Sequence, residues 1–122
     1  MSNLKLPTMT YGNLINRLGA LAYATTAQKY DDYVAVSHHG TVIAILRPDK
    51  VTVTTGGYSS STTRNRINTI LSDNGIHNYN ITQRQFEQTL QFAAPGEKSV
   101  YSAWPGVVNF ERTSTGWMRL PE

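Results

Sequence analysis

The stretch of sequence best suited to chemistry runs from Gly56 to Asn68 and reads Gly-Gly-Tyr-Ser-Ser-Ser-Thr-Thr-Arg-Asn-Arg-Ile-Asn. Five consecutive hydroxyl side chains precede Arg64 and Arg66. If a helix begins here, the N–H groups of its first turn attract anions. The glycines let a ligand approach the backbone, and the arginines can fork onto phosphate oxygens. The pattern predicts a site for a phosphate-bearing ligand, with Tyr58 placed to stack on a base.

The same residues also have a purely structural interpretation. The two glycines would make a turn, Thr62 or Thr63 would cap the helix, and the arginines would lie in solvent or pair with Asp73 or Glu87. The stretch is not a Walker loop, which needs Gly-Lys-Ser/Thr, and it lacks the three spaced glycines of a dinucleotide fingerprint. From these residues alone, both interpretations stay open.

Other catalytic or metal-binding groupings are weaker. His38 and His39 are adjacent, so on an extended chain they would point to opposite sides, and no carboxylate lies at ligand spacing. Ser59–Ser61 with Asp73 and His77 lack the nucleophile elbow that would support a triad. The absence of cysteine excludes disulfides, thiolate zinc sites and a cysteine nucleophile. We therefore expect no metal, no cofactor and no enzymatic activity.

The charge balance points to anionic partners of modest size. Eleven Lys and Arg against eight Asp and Glu give a net charge of +3, and seven of the eleven cations are Arg. Arg favours planar recognition of phosphate or carboxylate, but a duplex-binding domain normally carries many more cations, so nucleic acid is not the expected partner. Without a membrane-spanning run, a signal peptide or cysteines, we expect a cytoplasmic protein that does not contact the membrane.

Hydrophobic spacing predicts the elements that position these residues. Leu14, Leu18 and Leu21 recur at helical spacing, which predicts a helix from about Tyr11 to Tyr23, followed by a polar connector from Ala24 to Asp32.

The period then becomes two-fold, which predicts three consecutive antiparallel strands. They span Tyr33–Ser37, Thr41–Arg47 and Val51–Thr55. A second helix then begins at Thr62 or Thr63 and continues through Ser72.

The segment from Ile76 to Phe92 fits either two strands or a helix opening at Thr82, and we favour the strands. A loop is predicted from Ala93 to Gly106, and a closing hairpin from Val107–Arg112 and Trp117–Leu120. The predicted fold is one α+β domain over residues 1–122. It has a mostly antiparallel sheet of about five to six strands with two to three helices.

Four segments together resemble a small protein family found widely in tailed-phage genomes. They are Ser37–Ala44, Gly56–Tyr58, Thr62–Asn68 and Ile81–Arg84. The likeness covers about residues 33 to 90; Thr41 stands where many relatives have Asn, and Arg64 where many have Lys. The start of the second helix is also similar to that of the Thoeris anti-defence sponge proteins, phage products that sequester cyclic ADP-ribose signals.

This resemblance implies a phage counter-defence protein that sequesters a phosphate-containing nucleotide signal without turning it over, and that assembles as a homo-oligomer. The predicted ligand-binding residues are Tyr58, Ser60, Thr62, Thr63, Arg64, Arg66, Arg84 and Phe86. Two rival functions stay open. One is a protein–protein inhibitor of a host defence complex, similar to an anti-CRISPR, with aromatic and arginine anchors. The other is a nucleic-acid-binding phage accessory protein.

Overall fold

Antiparallel β-sheet makes up most of this chain. The computed structural model describes residues 6–22, 24–56 and 60–121. The helices and strands are α1 Tyr11–Leu14, β1 Gly19–Ala22, β2 Thr25–Tyr30, β3 Tyr33–His38, β4 Thr41–Leu46, β5 Lys50–Thr54, α2 Ser61–Asp73, β6 Tyr79–Arg84, β7 Glu87–Phe92, β8 Val100–Ala103, β9 Val107–Thr113 and β10 Gly116–Arg119. Neither of the described helices is long and apolar enough to cross a bilayer.

The strands form two separate sheets. Seven lie in the order β1-β2-β3-β4-β5-β9-β10, and three in the order β6-β7-β8. All neighbouring strands are antiparallel. The predicted α+β fold with five to six strands and two to three helices is therefore wrong. Within the described residues, the protein is mostly β, with ten strands and two helices, one of them only four residues long.

The predicted N-terminal helix fails because the chain cannot stay helical at Gly19. That glycine has a φ of 95°, outside the right-handed helical region, and it opens β1 instead. Leu18 is 43% exposed, whereas Leu21 is buried within the strand. The helical spacing of these leucines was therefore coincidental, and α1 ends at Leu14.

The predicted connector is strand β2. Thr25 and Ala27 are buried while Thr26 and Gln28 are exposed, so this strand has one buried and one wet face at its start. Its polar composition concealed the two-fold period. The predicted loop after β7 likewise contains β8, all of whose residues are exposed.

Several predicted elements are confirmed. The meander β3-β4-β5, the helix α2, two strands between Ile76 and Phe92 and the closing β9–β10 hairpin all occur where the pattern placed them. The two strands, β6 and β7, pair as an antiparallel hairpin. The alternative helix opening at Thr82 is wrong, because Thr82 pairs with Thr89 across the β6–β7 hairpin.

Helix α2 packs against both sheets, and this packing fixes the position of its first turn. Thr63, Ile67, Ile70 and Leu71 form its buried stripe, at the spacing of an amphipathic helix. The helix contacts both β4 and β6. Its Asn68 donates from Nδ2 to the carbonyl oxygen of Ile81 and accepts from the Ile81 N–H, at 2.9 and 2.8 Å. Strand β6 is at the edge of its sheet, with β7 as its neighbour on one side. The two bonds to Asn68 therefore satisfy backbone groups at the other side of β6.

Candidate anion site at the start of the second helix

A cavity of about 270 Å³ lies where the strand ends of the meander meet the first turn of α2. Strands β3 and β4 supply residues from both sides of the turn that connects them. The residue directly after β5 also lines the cavity, as do the N-cap and first turn of α2. The described lining residues are His38, His39, Thr41, Ile43, Thr55, Ser60, Thr62 and Thr63. Three of the predicted ligand-binding residues are therefore brought together here: Ser60, Thr62 and Thr63.

Ser60 sets the start of the helix. Its backbone is extended (φ −70°, ψ 148°), and its side chain accepts a hydrogen bond from the N–H of Thr63 at 3.1 Å. The Ser60 hydroxyl also donates to Oγ1 of Thr63, at 2.9 Å. The prediction that Thr62 or Thr63 caps the helix is wrong, because Thr63 belongs to the buried stripe and must already be helical.

His38 contributes a buried polar atom without a protein partner. The residue is only 4% exposed. Its Nδ1 shares a hydrogen bond with the hydroxyl of Thr25, 3.0 Å away, whereas its Nε2 has no hydrogen-bond partner among the described residues. Buried polar atoms usually have partners. Oγ1 of Thr82, Oε1 of Gln88 and Nε1 of Trp104 also lack a hydrogen-bond partner among the described residues, but of these four residues only His38 lines the cavity.

The surroundings of His38 keep its ring neutral. Burial lowers the pKa of His38 from its ordinary value near 6.5, and the neighbouring His39 and Arg66 lower it further. The two imidazole rings meet edge to face with centroids 4.5 Å apart. At neutral pH the ring can therefore offer a neutral donor or acceptor to the cavity.

Arg66 acts on the cavity through an intermediate residue. Its Nε donates to Oγ1 of Thr25 at 3.2 Å, and the same hydroxyl binds Nδ1 of His38. Thr25 is fully buried. Arg66 is not among the described residues that line the cavity. Its charge is linked to the lining ring of His38 by two successive hydrogen bonds, through Thr25.

Arg64, Arg84 and Phe86 are not among the described residues that line the cavity. Arg64 donates from Nη2 to Oε1 of Gln83 at 3.0 Å, and the guanidinium of Arg84 lies 3.8 Å from the centroid of the Tyr101 ring. Phe86 is 94% exposed in the turn between β6 and β7. Tyr58 falls outside the described residues.

Gly56 shapes one side of the cavity. Its φ is 62°, and a Cβ at this position would overlap the methyl group of Thr41, which lines the cavity. The glycine is therefore required by packing against the strand, in addition to any ligand that approaches the backbone.

The histidines were missed at the sequence level for a definable reason. The expectation that adjacent residues point apart holds on an extended chain, but His39 has a φ of 52° and lies in the β3–β4 turn. The turn brings both rings to the cavity. The available signal was a His-His-Gly turn beside a strand that leads into the hydroxyl-rich stretch.

Most of the lining surface is apolar, and its polar groups are of the kind that can receive an anion. Hydroxyl groups and imidazoles can donate hydrogen bonds, and none of the described lining residues is a carboxylate. The first turn of α2 adds the partial positive charge of a helix N-terminus.

The comparisons with known proteins identify a phage family. The family model of the Kyanoviridae Gp96 protein matches residues 11–112, which contain every described residue that lines the cavity. No curated protein and no solved structure matches the chain. The expected tailed-phage origin is thereby confirmed. This chain belongs to the Kyanoviridae Gp96 protein family of tailed phages.

Proposed function

We propose that this phage protein binds a phosphate-bearing nucleotide signal of the cyclic ADP-ribose type in the cavity at the start of α2. By holding the signal unchanged, it would counter a host defence that depends on it. The observation that carries the proposal is the buried Nε2 of His38, which has no partner among the described residues and belongs to a ring that lines a hydroxyl-rich cavity. The likeness of the helix start to the Thoeris sponge proteins supports the choice of ligand.

The cavity favours the phosphate portion of such a ligand. Its hydroxyls, its imidazoles and the helix start supply donors, and the charge of Arg66 lies behind Thr25. A volume of about 270 Å³ is slightly below the range of about 300–1,000 Å³ typical of sites that enclose a whole small molecule. We therefore expect the phosphates to be buried and the base and ribose to extend outward, where another copy in a homo-oligomer could cover them.

The contacts of His38 favour holding a ligand over transforming it. A catalytic histidine is commonly oriented by a carboxylate that stabilises the imidazolium. The partner of His38 Nδ1 is instead the neutral hydroxyl of Thr25, and Arg66 disfavours the charged ring. Sequestration needs no proton transfer, only slow release.

The proposal is tested by incubating the purified protein with cyclic ADP-ribose isomers and measuring the melting temperature. Ligand in large excess over its Kd should stabilise the protein by about 2–4 kcal/mol. After denaturation of the complex, the ligand should be recovered intact. A chemically altered ligand would indicate an enzyme, and no thermal shift with any isomer would contradict the proposal.

Thr62 offers a matched pair of variants for this assay. Thr62→Val removes a cavity hydroxyl while keeping the shape of the side chain, and should weaken binding. Thr69→Val makes the same change two turns later on α2, at a residue that is half-buried and does not line the cavity. Equal affinity of both variants would move the binding site away from the start of α2.

Inhibition of a host protein is a second candidate, favoured by Phe86. An aromatic side chain that is 94% exposed at a hairpin tip resembles an interface anchor. Co-purification of a stoichiometric host partner that is lost on Phe86→Ser, with no nucleotide bound, would favour this alternative.

A further inference from the structure

The imidazole ring of His38 has one committed nitrogen and one that is available. Nδ1 is bound to Thr25 on β2, which is not among the residues that line the cavity. Nε2 is on the opposite edge of the ring, and it is buried and without a described hydrogen-bond partner. Because His38 itself lines the cavity, an anion that enters the cavity lies beside its ring.

The groups around His38 determine how readily its ring becomes charged. His39 in the β3–β4 turn and Arg66 on α2 are the titratable or charged groups that act on it among the described residues, and both disfavour the imidazolium. The other neighbours carry only neutral polar groups: Thr25 on β2, Thr41 paired with it on β4, and Thr63 on α2. Without an anion, no described residue therefore supplies a negative charge that compensates protonation of the ring.

We propose that capture of an anion in this cavity is coupled to protonation of His38. The ring takes a proton from solvent as the anion enters, so that the imidazolium lies beside the anionic oxygens of the ligand while Nδ1–H donates to Thr25. On protonation of the ring, the hydroxyl of Thr25 changes from donor to acceptor toward Nδ1 and turns its own proton away from the ring. The proposal rests on the proposed function, since it concerns the same cavity, and it adds a regulator, the pH.

The direction of the pH effect follows from the charges. An anion beside the ring raises the pKa of His38 relative to the free protein, since an opposite charge favours the protonated form. The complex therefore binds more protons than its separated parts, and affinity rises as the pH falls. Between about pH 8 and about pH 5.5, we expect binding to tighten about three- to tenfold.

The test uses two probes: sulfate, whose charge does not titrate in this range, and cyclic ADP-ribose. Their dissociation constants are measured by calorimetry at about pH 5.5 and about pH 8. At an intermediate pH, calorimetry in two buffers of different ionisation enthalpy gives the number of protons taken up. We expect a net uptake, and NMR titration of the imidazole carbons should assign it to His38.

Two histidine variants identify the responsible group. His38→Gln retains a side chain that can hydrogen-bond but cannot be protonated, so it should reduce the pH dependence to less than about twofold. His77→Gln removes an exposed histidine outside the cavity, and should leave the pH dependence as in the wild type. If His38→Gln fails to fold, proton uptake and NMR assignment on the wild-type protein still decide the outcome.

The outcomes separate this inference from the proposed function. Cyclic ADP-ribose that binds equally at both pH values, without proton uptake, overturns the inference and leaves the proposed function standing. Sulfate binding with uptake at His38, without any nucleotide binding, supports the inference and overturns the nucleotide ligand. Unchanged pH dependence in His38→Gln assigns the effect to another group and overturns the inference, and failure of both probes to bind overturns both proposals.

Discussion

The start of α2 and the β6–β7 hairpin both offer arginines and polar side chains next to aromatic rings, yet the structure uses them in opposite ways. At the start of α2, residues from β3, β4, α2 and the end of β5 converge on a concave space, and the buried His38 has a ring nitrogen without a partner among the described residues. On the hairpin, Arg84 covers the ring of Tyr101, and Phe86 extends into solvent from a convex tip. Residue type alone does not make a small-molecule site; convergence of backbone segments does. The hairpin is better suited to meeting a surface than to enclosing a ligand.

The largest expected effect comes from filling the space beside the cavity. Gly56→Ala places a Cβ on the methyl of Thr41 and strains a backbone whose φ is 62°. Overpacking of about 1–3 kcal/mol and left-handed strain of about 1–2 kcal/mol should together lower the free energy of unfolding. Anion binding should also weaken, because Thr41 must shift within the cavity wall. Urea unfolding and sulfate calorimetry measure the two effects.

Gly40→Ala is the matched control for this substitution. Gly40 also has a positive φ, 79°, but nothing lies within 4 Å of a Cβ built there. It should lose only the strain of about 1–2 kcal/mol and retain anion binding. Similar losses in both variants would mean that the contact with Thr41 is unimportant to the cavity.

A smaller effect is expected from Asn68→Ala, which should lower the stability of the smaller sheet without changing the cavity at the start of α2. Asn68→Ala removes both hydrogen bonds to Ile81 and leaves the backbone groups at the edge of β6 unsatisfied, which should lower stability by about 1–3 kcal/mol. Amide exchange at Ile81 should accelerate, while sulfate affinity should change little, because Asn68 does not line the cavity. Asn65→Ala, on the exposed face of the same helix, should stay within about 0.5 kcal/mol of the wild type. Loss of sulfate binding in Asn68→Ala would show that the cavity depends on the smaller sheet.

The two arginines of α2 should differ, although they are two residues apart. Arg66→Gln removes a donor to the buried hydroxyl of Thr25 and should lower stability by about 1 kcal/mol. It should also weaken sulfate binding, since it removes the charge behind His38. Arg64→Gln affects an exposed contact with Gln83 and should stay within about 0.5 kcal/mol in unfolding experiments. Equal effects of the two variants on sulfate affinity would contradict the relay through Thr25.

The split between these arginines illustrates how far the sequence leads. A helix start after Gly56 was predictable because glycines and hydroxyls are strong local signals, and so were the strands with clear two-fold alternation. The direction of the Arg66 side chain was not predictable from the sequence. Its partner Thr25 is 41 residues away, on a strand that was not recognised because its composition is polar. The contribution of His38 was hidden for the same reason. Its unpartnered nitrogen exists only because Thr25, the β3–β4 turn and α2 meet in three dimensions.

A modest pH effect on the ligand-free protein should accompany the cavity. Burial, His39 and Arg66 lower the pKa of His38 in the folded protein, whereas the unfolded chain protonates it near 6.5. The unfolded state therefore binds more protons below that pH, so stability falls as the pH falls through about 6.5. Urea unfolding of His38→Gln should show a flatter profile than that of His77→Gln. Arg66→Gln should raise the pKa of His38. Identical profiles of unfolding free energy against pH for all three variants would assign the acid sensitivity to other groups.

The smallest expected change in ligand binding, and the clearest contrast between the two regions, comes from Phe86. Gln85 and Phe86 have φ of 50° and 69°, the pair of positive values of a two-residue hairpin turn that favours Asn-Gly. Phe86→Gly should therefore relieve backbone strain, partly offset by the greater freedom of the unfolded chain, and leave the free energy of unfolding unchanged or raised by up to about 1 kcal/mol. Sulfate and cyclic ADP-ribose affinities should match the wild type, because Phe86 is not among the described residues that line the cavity. Neither packing nor turn geometry explains why Phe86 is exposed in a strained turn. We infer that its ring serves for contact with another surface. If Phe86→Gly instead abolished nucleotide capture, the hairpin would have to fold over the cavity or reach that of a neighbouring copy, and the contrast between a binding region and a contact region would fail.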